Sequence, residues 1–273
     1  MISIAIPDSM FVADDTLRDK TVKVGEIARA CAIFGVERIY IYRDSSRNYD
    51  SNYEMARSVF EYMETPQYLR KRLIGRKKEL EYAGLLPPLR TPNHRVLAVP
   101  KIGEIREGVV VSWNGELMVD VGAKELAKLE GRGQNGQRLT FTMDSLVPLV
   151  AKVSQKPDSV YWGYEVRRAP SLTRFLKSVN FDLVILTSRI GKTVSEVWAE
   201  FTKSCKDAAK TLICFGSPEF GVDKFLKQDG SKVSDVNALY LNLFPNQNTE
   251  TIRLEEAILG ALTIVNLVKG TSG

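Results

Sequence analysis

The sequence contains very little histidine and cysteine. His94 is the only histidine among 273 residues, which excludes HExxH metal sites and argues against facial triads and histidine-based catalytic triads. The three cysteines, Cys31, Cys205 and Cys214, form no CxxC pair, so neither a disulfide framework nor a zinc site is indicated. We therefore expect a reducing compartment and no bound metal.

A long apolar run and a basic leader are also missing. The longest apolar stretch, Ala257 to Val268, is interrupted by polar residues and is shorter than the ~20 residues that a membrane span requires. The first residues, MISIAIPDSM, are typical of a β-strand and not of a signal peptide. We expect a cytoplasmic protein without a transmembrane segment.

No GxGxxG loop follows the first apolar run, because the residues after Ile6 are Pro-Asp-Ser-Met-Phe. This disfavours the alternative of a Rossmann-type methyltransferase or dehydrogenase. The overall composition, with 44% hydrophobic residues, 26% charged residues and a net charge of +5, is that of an ordinary globular chain. Its length allows one large domain or two smaller ones.

Short apolar runs alternate with helical patterns at both ends of the chain. This alternation predicts an α/β fold with a parallel sheet and helices on both faces. The segments that carry the pattern are Ile2–Ile6, Lys20–Phe34, Arg38–Tyr42, Ser51–Tyr82, Leu183–Leu186, Val194–Lys206 and Leu212–Phe215.

The middle of the chain has a different pattern. Three prolines in Gly84–Val96 indicate a domain boundary. Asn114-Gly115 lies between two alternating segments and predicts a hairpin with a two-residue type I′ turn. Together with predicted strands at 138–143, 147–153 and 160–166, this hairpin favours a small closed barrel of the oligonucleotide-binding type. The predicted domains are therefore 1–88 with 167–273, and an inserted barrel at 89–166.

Positive charge is concentrated in Leu69–Lys78, which has six cations in ten residues. As a helix it would present a basic face to phosphates, although a merely solvated surface is the alternative. Trp113, Tyr161, Trp162 and Tyr164 are candidates for base stacking, with Tyr161 or Trp162 expected in the barrel core. The predicted RNA-binding residues are Arg70, Lys71, Arg72, Arg76, Lys77, Arg167 and Arg168.

Two segments near the C-terminus indicate a ligand site. LICFGSPEFGV (Leu212–Val222) is typical of a buried strand that breaks into a turn, and a strand at Ala238–Phe244 is followed by the loop PNQNT and a helix. Uncharged donors and acceptors at a helix start suit an adenine or a ribose. Ordinary turn and capping chemistry is the alternative.

These two segments, together with KVGEIARACAIFGV (Lys23–Val36), resemble the three motifs of the SPOUT superfamily of S-adenosylmethionine-dependent RNA methyltransferases. The closest resemblance is to the archaeal and eukaryotic branch that carries an inserted barrel. The resemblance implies a C-terminal trefoil knot, an obligate homodimer, and a cofactor held by the loops Leu186–Gly191, Phe215–Gly221 and Leu241–Thr251.

The resemblance also implies site residues. Arg29, Arg18 and Arg253 are the candidates for stabilising negative charge on the reacting base. The implied cofactor-binding residues are Thr187, Ser188, Arg189, Gly191, Gly216, Ser217, Pro218, Gly221, Leu241, Asn242, Phe244, Asn246 and Thr251.

The acceptor atom is less directly implied. Lys23, Thr251 and Arg253 stand where the motifs commonly have Asn, Ser and Asn, which argues against transfer to a ribose 2′-oxygen. The resemblance to the inserted-barrel branch favours a base nitrogen, such as N3 of a uridine or pseudouridine, in ribosomal RNA. A ribose 2′-oxygen or a transfer RNA is an alternative. A non-catalytic RNA-binding or assembly factor that retains the fold is an alternative of a different class.

Overall fold

The computed structural model describes residues 1–270. The chain divides into two compact units, a larger one formed by residues 1–61, 79–87 and 164–270 and a smaller one formed by 62–78 and 88–163. Residues 271–273, which the sequence-based boundaries assign to the α/β domain, lie outside the described residues.

A six-stranded sheet forms the centre of the larger unit, in the order β11-β9-β10-β1-β2-β8. Every neighbouring pair is parallel, which confirms the predicted parallel sheet. The strands are β1 Ile2–Pro7, β2 Val36–Arg43, β8 Glu165–Ser171, β9 Leu183–Thr193, β10 Thr211–Cys214 and β11 Leu239–Asn242.

Helices pack against both faces of this sheet. Successive side chains of a strand point to opposite faces, and both faces carry apolar residues that the helices bury. In β1, Ala5 belongs to a buried cluster with Leu172 and Phe225, whereas Ile4 and Ile6 are buried on the opposite face. The helices that begin in the larger unit are α1 Leu17–Ile33, α2 Asp50–Glu64, α4 Leu172–Ser178, α5 Trp198–Asp207, α6 Val222–Gln228 and α7 Leu254–Gly270. Helix α7 packs against α1 and α5, and α4 packs against α6.

Local sequence explains where the two longest helices lie. Helix α1 begins after Thr16, whose Oγ1 accepts a hydrogen bond from Asp19 N at 3.1 Å and so satisfies a free amide of the first turn. In α7 the apolar residues at helical spacing are buried, namely Leu254, Ile258, Ala261, Leu262 and Val265. No helix within residues 1–270 is both long enough and apolar enough to cross a membrane.

The smaller unit is built on a closed five-stranded barrel, in the order β3-β4-β5-β7-β6. Only the β5–β7 pair is parallel among these described strands. Asn114 and Gly115 have φ values of 51° and 83°, which confirms the predicted tight turn. The barrel strands are β3 Ile105–Trp113, β4 Glu116–Asp120, β5 Ala127–Glu130, β6 Arg138–Leu146 and β7 Leu149–Ser154.

One predicted barrel strand, at 160–166, is wrong. The strand β8 begins only at Glu165 and pairs with β2 in the large sheet, with Val166 opposite Ile39. The fifth barrel strand is instead the four-residue β5, in which Lys128 and Glu130 are exposed, so its apolar signal is too short to detect. Neither Tyr161 nor Trp162 is among the buried core residues of the barrel.

The predicted basic helix over Leu69–Lys78 is also too long. Helix α3, Gln67–Leu73, ends because Ile74 is extended, at φ −114° and ψ 113°, and Arg76 and Lys77 therefore lie beyond it. Residues 62–78 belong to the barrel unit and not to the α/β unit, unlike the sequence-based boundaries. The Tyr68 hydroxyl donates to Glu107 O at 2.9 Å, and Arg72 forms an ion pair with Asp120.

Candidate active site

A cavity of about 930 Å³ lies at the carboxyl ends of β10 and β11, in the larger unit. Ligand sites of α/β sheets commonly occur at this edge, and the volume is within the range of small-molecule sites. Four segments line the cavity: residues 13–26, 187–190, 215–224 and 242–257.

The first of the three loops is an excursion within β9. Leu186 lies opposite Tyr240 of β11, but the next residue of β11, Leu241, lies opposite Lys192. Residues 187–191 therefore have no register partner in β11. The excursion returns at Gly191, where a Cβ atom would lie 2.8 Å from the carbonyl carbon of Leu241. Only glycine allows the two backbones to approach this closely without moving apart.

Hydrogen bonds hold this excursion in place. Asn242 Nδ2 donates to Arg189 O at 3.0 Å, and Asn242 Oδ1 accepts from Phe244 N at 2.9 Å. The Tyr240 hydroxyl donates to Ser188 Oγ at 2.7 Å. Asn242 thus connects the first loop to the third.

A further hydrogen bond connects the first loop to the second. Thr187 Oγ1 donates to the carbonyl oxygen of Cys214, at the end of β10, at 2.9 Å. Cys214 is fully buried and Thr187 is half-buried. The three loops are therefore connected by side-chain hydrogen bonds.

The second loop is a compact turn after β10. Ser217 N donates to Phe220 O at 2.8 Å, and Phe220 N donates to Ser217 Oγ at 3.0 Å. A Cβ atom at Gly216 would lie 2.4 Å from Phe220 O and 3.0 Å from Gly221 Cα. The turn thus depends on the absence of a side chain at position 216.

The third loop connects β11 to α7. The Phe244 ring packs so closely on α7 that a Cβ atom at Gly260 would lie 2.4 Å from it. Gln247 Nε2 donates to Thr249 O at 2.9 Å, and Arg253 N donates to Glu256 Oε2 at 2.9 Å. The second of these bonds satisfies an amide at the start of α7.

Helix α1 and the residues before it form the remaining wall. Lys23 is 7% exposed, forms an ion pair with Asp14 and donates to Met10 O at 3.3 Å. Glu255, on α7, is 9% exposed, and its Oε2 atom has no hydrogen-bond partner in the described structure. Burial raises the pKa of Glu255 above its usual value.

Eight carboxylates and five cations line the cavity. This excess of negative charge favours a ligand that carries positive charge. Within residues 1–270, no group of three or more His, Cys, Asp or Glu side chains is arranged to hold a metal ion.

The structure brings most of the predicted cofactor residues to this cavity. Gly191, Leu241 and Asn246 are not among its lining residues. The predicted residues that line it are Thr187, Ser188, Arg189, Gly216, Ser217, Pro218, Gly221, Asn242, Phe244 and Thr251.

The three predicted catalytic arginines lie in different positions. Arg18 and Arg253 line the cavity, whereas Arg29, half-buried on α1, does not. The sequence-based reasoning missed Glu255. A glutamate in the first turn of a helix is ordinary, since it complements the helix dipole, and only the fold shows that this one is buried.

The predicted RNA-binding residues are distributed over both units. In the smaller unit, Arg70 donates from Nε to Thr65 O at 3.0 Å and lies 4.1 Å from the centre of the Tyr62 ring. Lys71, Arg76 and Lys77 are exposed, and none of them forms an ion pair with another residue of the described chain.

In the larger unit, Arg167 and Arg168 are exposed on β8 and form ion pairs with Glu165 and Asp50. Arg168 also lies 4.7 Å from the centre of the Tyr53 ring. Both arginines therefore already have partners within their own unit.

Comparison with known proteins shows what the chain resembles. A family model described as "Putative RNA methyltransferase" matches residues 1–265. An uncharacterized protein of Haloarcula marismortui is 30% identical over 98% of this chain and 99% of its own length. The human 28S rRNA (uridine-N(3))-methyltransferase is 30% identical over 96% of this chain and 76% of its own length. The mouse protein of the same name is 31% identical over 96% of this chain and 74% of its own length.

Proposed function

Because the chain belongs to the RNA methyltransferase family that matches residues 1–265, we propose that it transfers a methyl group from S-adenosylmethionine to N3 of a uridine in ribosomal RNA. The relatives named as 28S rRNA (uridine-N(3))-methyltransferases support this acceptor, since each of the two described above matches 96% of this chain. The convergence of three loops on one cavity is the observation that carries the proposal.

The residues of the cavity fit S-adenosylmethionine. Gly216 has no side chain, so a ligand can approach the backbone of its turn closely. The surrounding loops offer backbone amides, hydroxyls and side-chain amides to an adenosine. The negative rim suits a sulfonium and an amino group. When bound, S-adenosylmethionine supplies the methyl group from a sulfonium, and the task of the protein is to hold donor and acceptor in line.

Arg18 and Arg253 are the proposed residues that stabilise negative charge on the base as N3 loses its proton, and their position in the lining of the cavity supports this role. Arg29 remains a third candidate on the resemblance alone. It does not line the cavity in this chain, unlike Arg18 and Arg253.

The smaller unit is proposed to bind the RNA as an inserted domain. A closed barrel with a single parallel strand pair among its described pairings supports the oligonucleotide-binding type. Trp113 is 59% exposed and offers a stacking surface. Lys71, Arg76 and Lys77 provide positive charge that the described chain does not neutralise through ion pairs.

A trefoil knot and a homodimer are part of the proposal. The excursion of β9 and its return beside β11 support a crossing of the chain in this region, and Val194 N donates to Asn242 O at 3.0 Å just after the excursion. Analytical ultracentrifugation of the purified protein tests the dimer directly.

The test of the function has two steps. The protein is first titrated with S-adenosylmethionine in a calorimeter without RNA, and saturable binding is expected. It is then incubated with the radiolabelled methyl donor and ribosomal RNA from cells that lack the protein, and the RNA is digested to nucleosides. Labelled 3-methyluridine is the expected product.

Other outcomes identify the alternatives. A labelled 2′-O-methylated nucleoside would indicate a ribose methyltransferase, and label in transfer RNA alone would indicate a different substrate. No binding at millimolar S-adenosylmethionine, together with retained RNA binding, would favour a non-catalytic RNA-binding factor.

A further inference from the structure

Glu255 is the one buried carboxylate of the cavity. Among the eight carboxylates that line it, the other seven are exposed or half-buried. The Oε2 atom of Glu255 has no hydrogen-bond partner among the described residues. A buried carboxylate oxygen without a donor is costly, so its position at the cavity requires an explanation.

Several charged groups surround Glu255. Burial is the largest cause that raises its pKa, and Glu26 and Asp14 act in the same direction. Lys23 on α1 and the backbone amide of Glu255 itself lower the pKa. The carboxyl group is therefore held at a higher pKa than an ordinary glutamate, beside a buried ammonium group that favours its ionised form.

A proton acceptor is missing from the residues considered so far. The N3 atom of uridine carries a proton that must leave during methyl transfer, and arginine cannot accept it because its guanidinium is always protonated. A general base must lie within reach of the reacting atom and is most effective when its pKa approaches the working pH. Glu255 lines the cavity, and burial raises the pKa of its carboxyl group.

We propose that the carboxylate of Glu255 accepts the N3 proton of the target uridine. This inference rests on the proposed function. As the N3–H bond breaks, its proton passes to the carboxylate, and N3 forms a bond to the methyl carbon while the carbon–sulfur bond breaks and its electron pair stays on sulfur. The uridine leaves methylated, the donor leaves as the neutral thioether, and Glu255 releases its proton to water.

The neighbouring Glu256 provides a matched control. It lies one position along α7, is exposed, and is not among the residues that line the cavity. Its Oε2 accepts from Arg253 N, and the amide oxygen of a glutamine can accept the same bond. Glu256→Gln therefore removes the same charge from the same helix without altering the cavity.

The experiment compares Glu255→Gln, Glu255→Asp and Glu256→Gln in the formation of 3-methyluridine across a pH series. For Glu255→Gln we expect a loss of turnover of about 10²- to 10⁴-fold, as for other general bases, with S-adenosylmethionine binding unchanged. The wild-type rate rises with pH and levels off as Glu255 ionises, whereas the Gln variant continues to rise into the alkaline range. Glu255→Asp recovers part of the rate, and Glu256→Gln keeps the wild-type profile.

Thermal unfolding gives a readout that does not depend on activity. Because the pKa of Glu255 is raised in the folded state, its stabilising contribution is complete below the pKa of the unfolded chain and is lost as pH rises through the folded value. Glutamine does not ionise. Glu255→Gln is therefore expected to unfold at a higher temperature than the wild type at pH 8, with a smaller difference at pH 5.

The outcomes separate this inference from the proposed function. A wild-type product other than 3-methyluridine would overturn the function and this inference together. If the wild type forms 3-methyluridine and Glu255→Gln retains its rate and pH profile, only the inference is overturned. A loss of activity that is accompanied by loss of S-adenosylmethionine binding would overturn it as well, because Glu255 would then hold the cofactor or the fold.

Discussion

Replacing Gly216 with alanine adds one methyl group to the second loop of the cavity. The added Cβ atom would lie 2.4 Å from Phe220 O, whereas ordinary contacts begin at 3.4 Å. The carbonyl group must therefore retreat by about 1 Å. Phe220 O also accepts the hydrogen bond from Ser217 N at 2.8 Å, and a displacement of this size takes that bond beyond the usual range of about 2.7–3.2 Å.

The cost follows from these two effects. A lost hydrogen bond removes about 0.5–1.5 kcal/mol, and forced overpacking typically costs about 1–3 kcal/mol. Because the turn can relax by changing shape, we expect the native loop conformation to be disfavoured by about 1–3 kcal/mol. If only that conformation binds S-adenosylmethionine, the affinity falls by a factor of roughly 5 to 150.

Calorimetric titration with S-adenosylmethionine measures this loss, and urea unfolding shows that the variant is folded. Gly84→Ala is the matched control, since Gly84 is exposed in the same unit and a Cβ atom there meets nothing within 4 Å. We expect its cofactor affinity to equal that of the wild type. Equal affinities for Gly216→Ala and Gly84→Ala would refute the placement of the cofactor against this turn.

Three further predictions concern stability and RNA binding. Burial raises the pKa of Asp8 from 3.8 to about 6, so its stabilising contribution is complete below pH ~4 and is lost as pH rises through 6. In urea unfolding, the free energy of unfolding of Asp8→Asn should therefore be about 3 kcal/mol above that of the wild type at pH 8 and equal to it at pH 4. Arg138→Met leaves two largely buried glutamates without their shared cation and should lower the free energy of unfolding by about 3–5 kcal/mol; a cost below 1 kcal/mol in urea would contradict this. Replacing Lys71, Arg76 and Lys77 together with glutamine should reduce the slope of log RNA affinity against log salt concentration by about 2, since each phosphate contact to a single strand contributes about 0.7. An unchanged slope in a filter-binding assay would exclude these three residues from the RNA site.

The parallel sheet could be predicted from the sequence because its central strands, such as Ile2–Pro7, are short and continuously apolar. The hairpin at Asn114-Gly115 was predictable because few dipeptides adopt positive φ at both positions. In both cases local residue chemistry determines local structure. The strand at 160–166 was misplaced because Tyr161, Trp162 and Tyr164 give this segment the aromatic content of a strand, whereas β8 begins only at Glu165 and pairs with β2.

The candidate site was predictable in part. Its glycines and polar loops follow apolar strands, and most of the cofactor residues that the motif resemblance implied line the cavity. The burial of Glu255 was not predictable, since burial depends on how α7 packs against α1. The five-residue excursion of β9 also escaped prediction, because it is defined by a register with β11 that lies more than forty residues further along the chain.

Several polar side chains of the three loops of the cavity hold the loops to one another. Thr187, Ser188 and Asn242 each form a hydrogen bond with another part of the site. These three side chains are therefore already engaged within the site, and glycine is required where the backbones of the loops approach closely. Backbone recognition tolerates side-chain substitution as long as the loops keep their shape. For this reason the departures at Lys23 and Thr251 do not argue against cofactor binding, and their effect is expected at the acceptor side of the cavity.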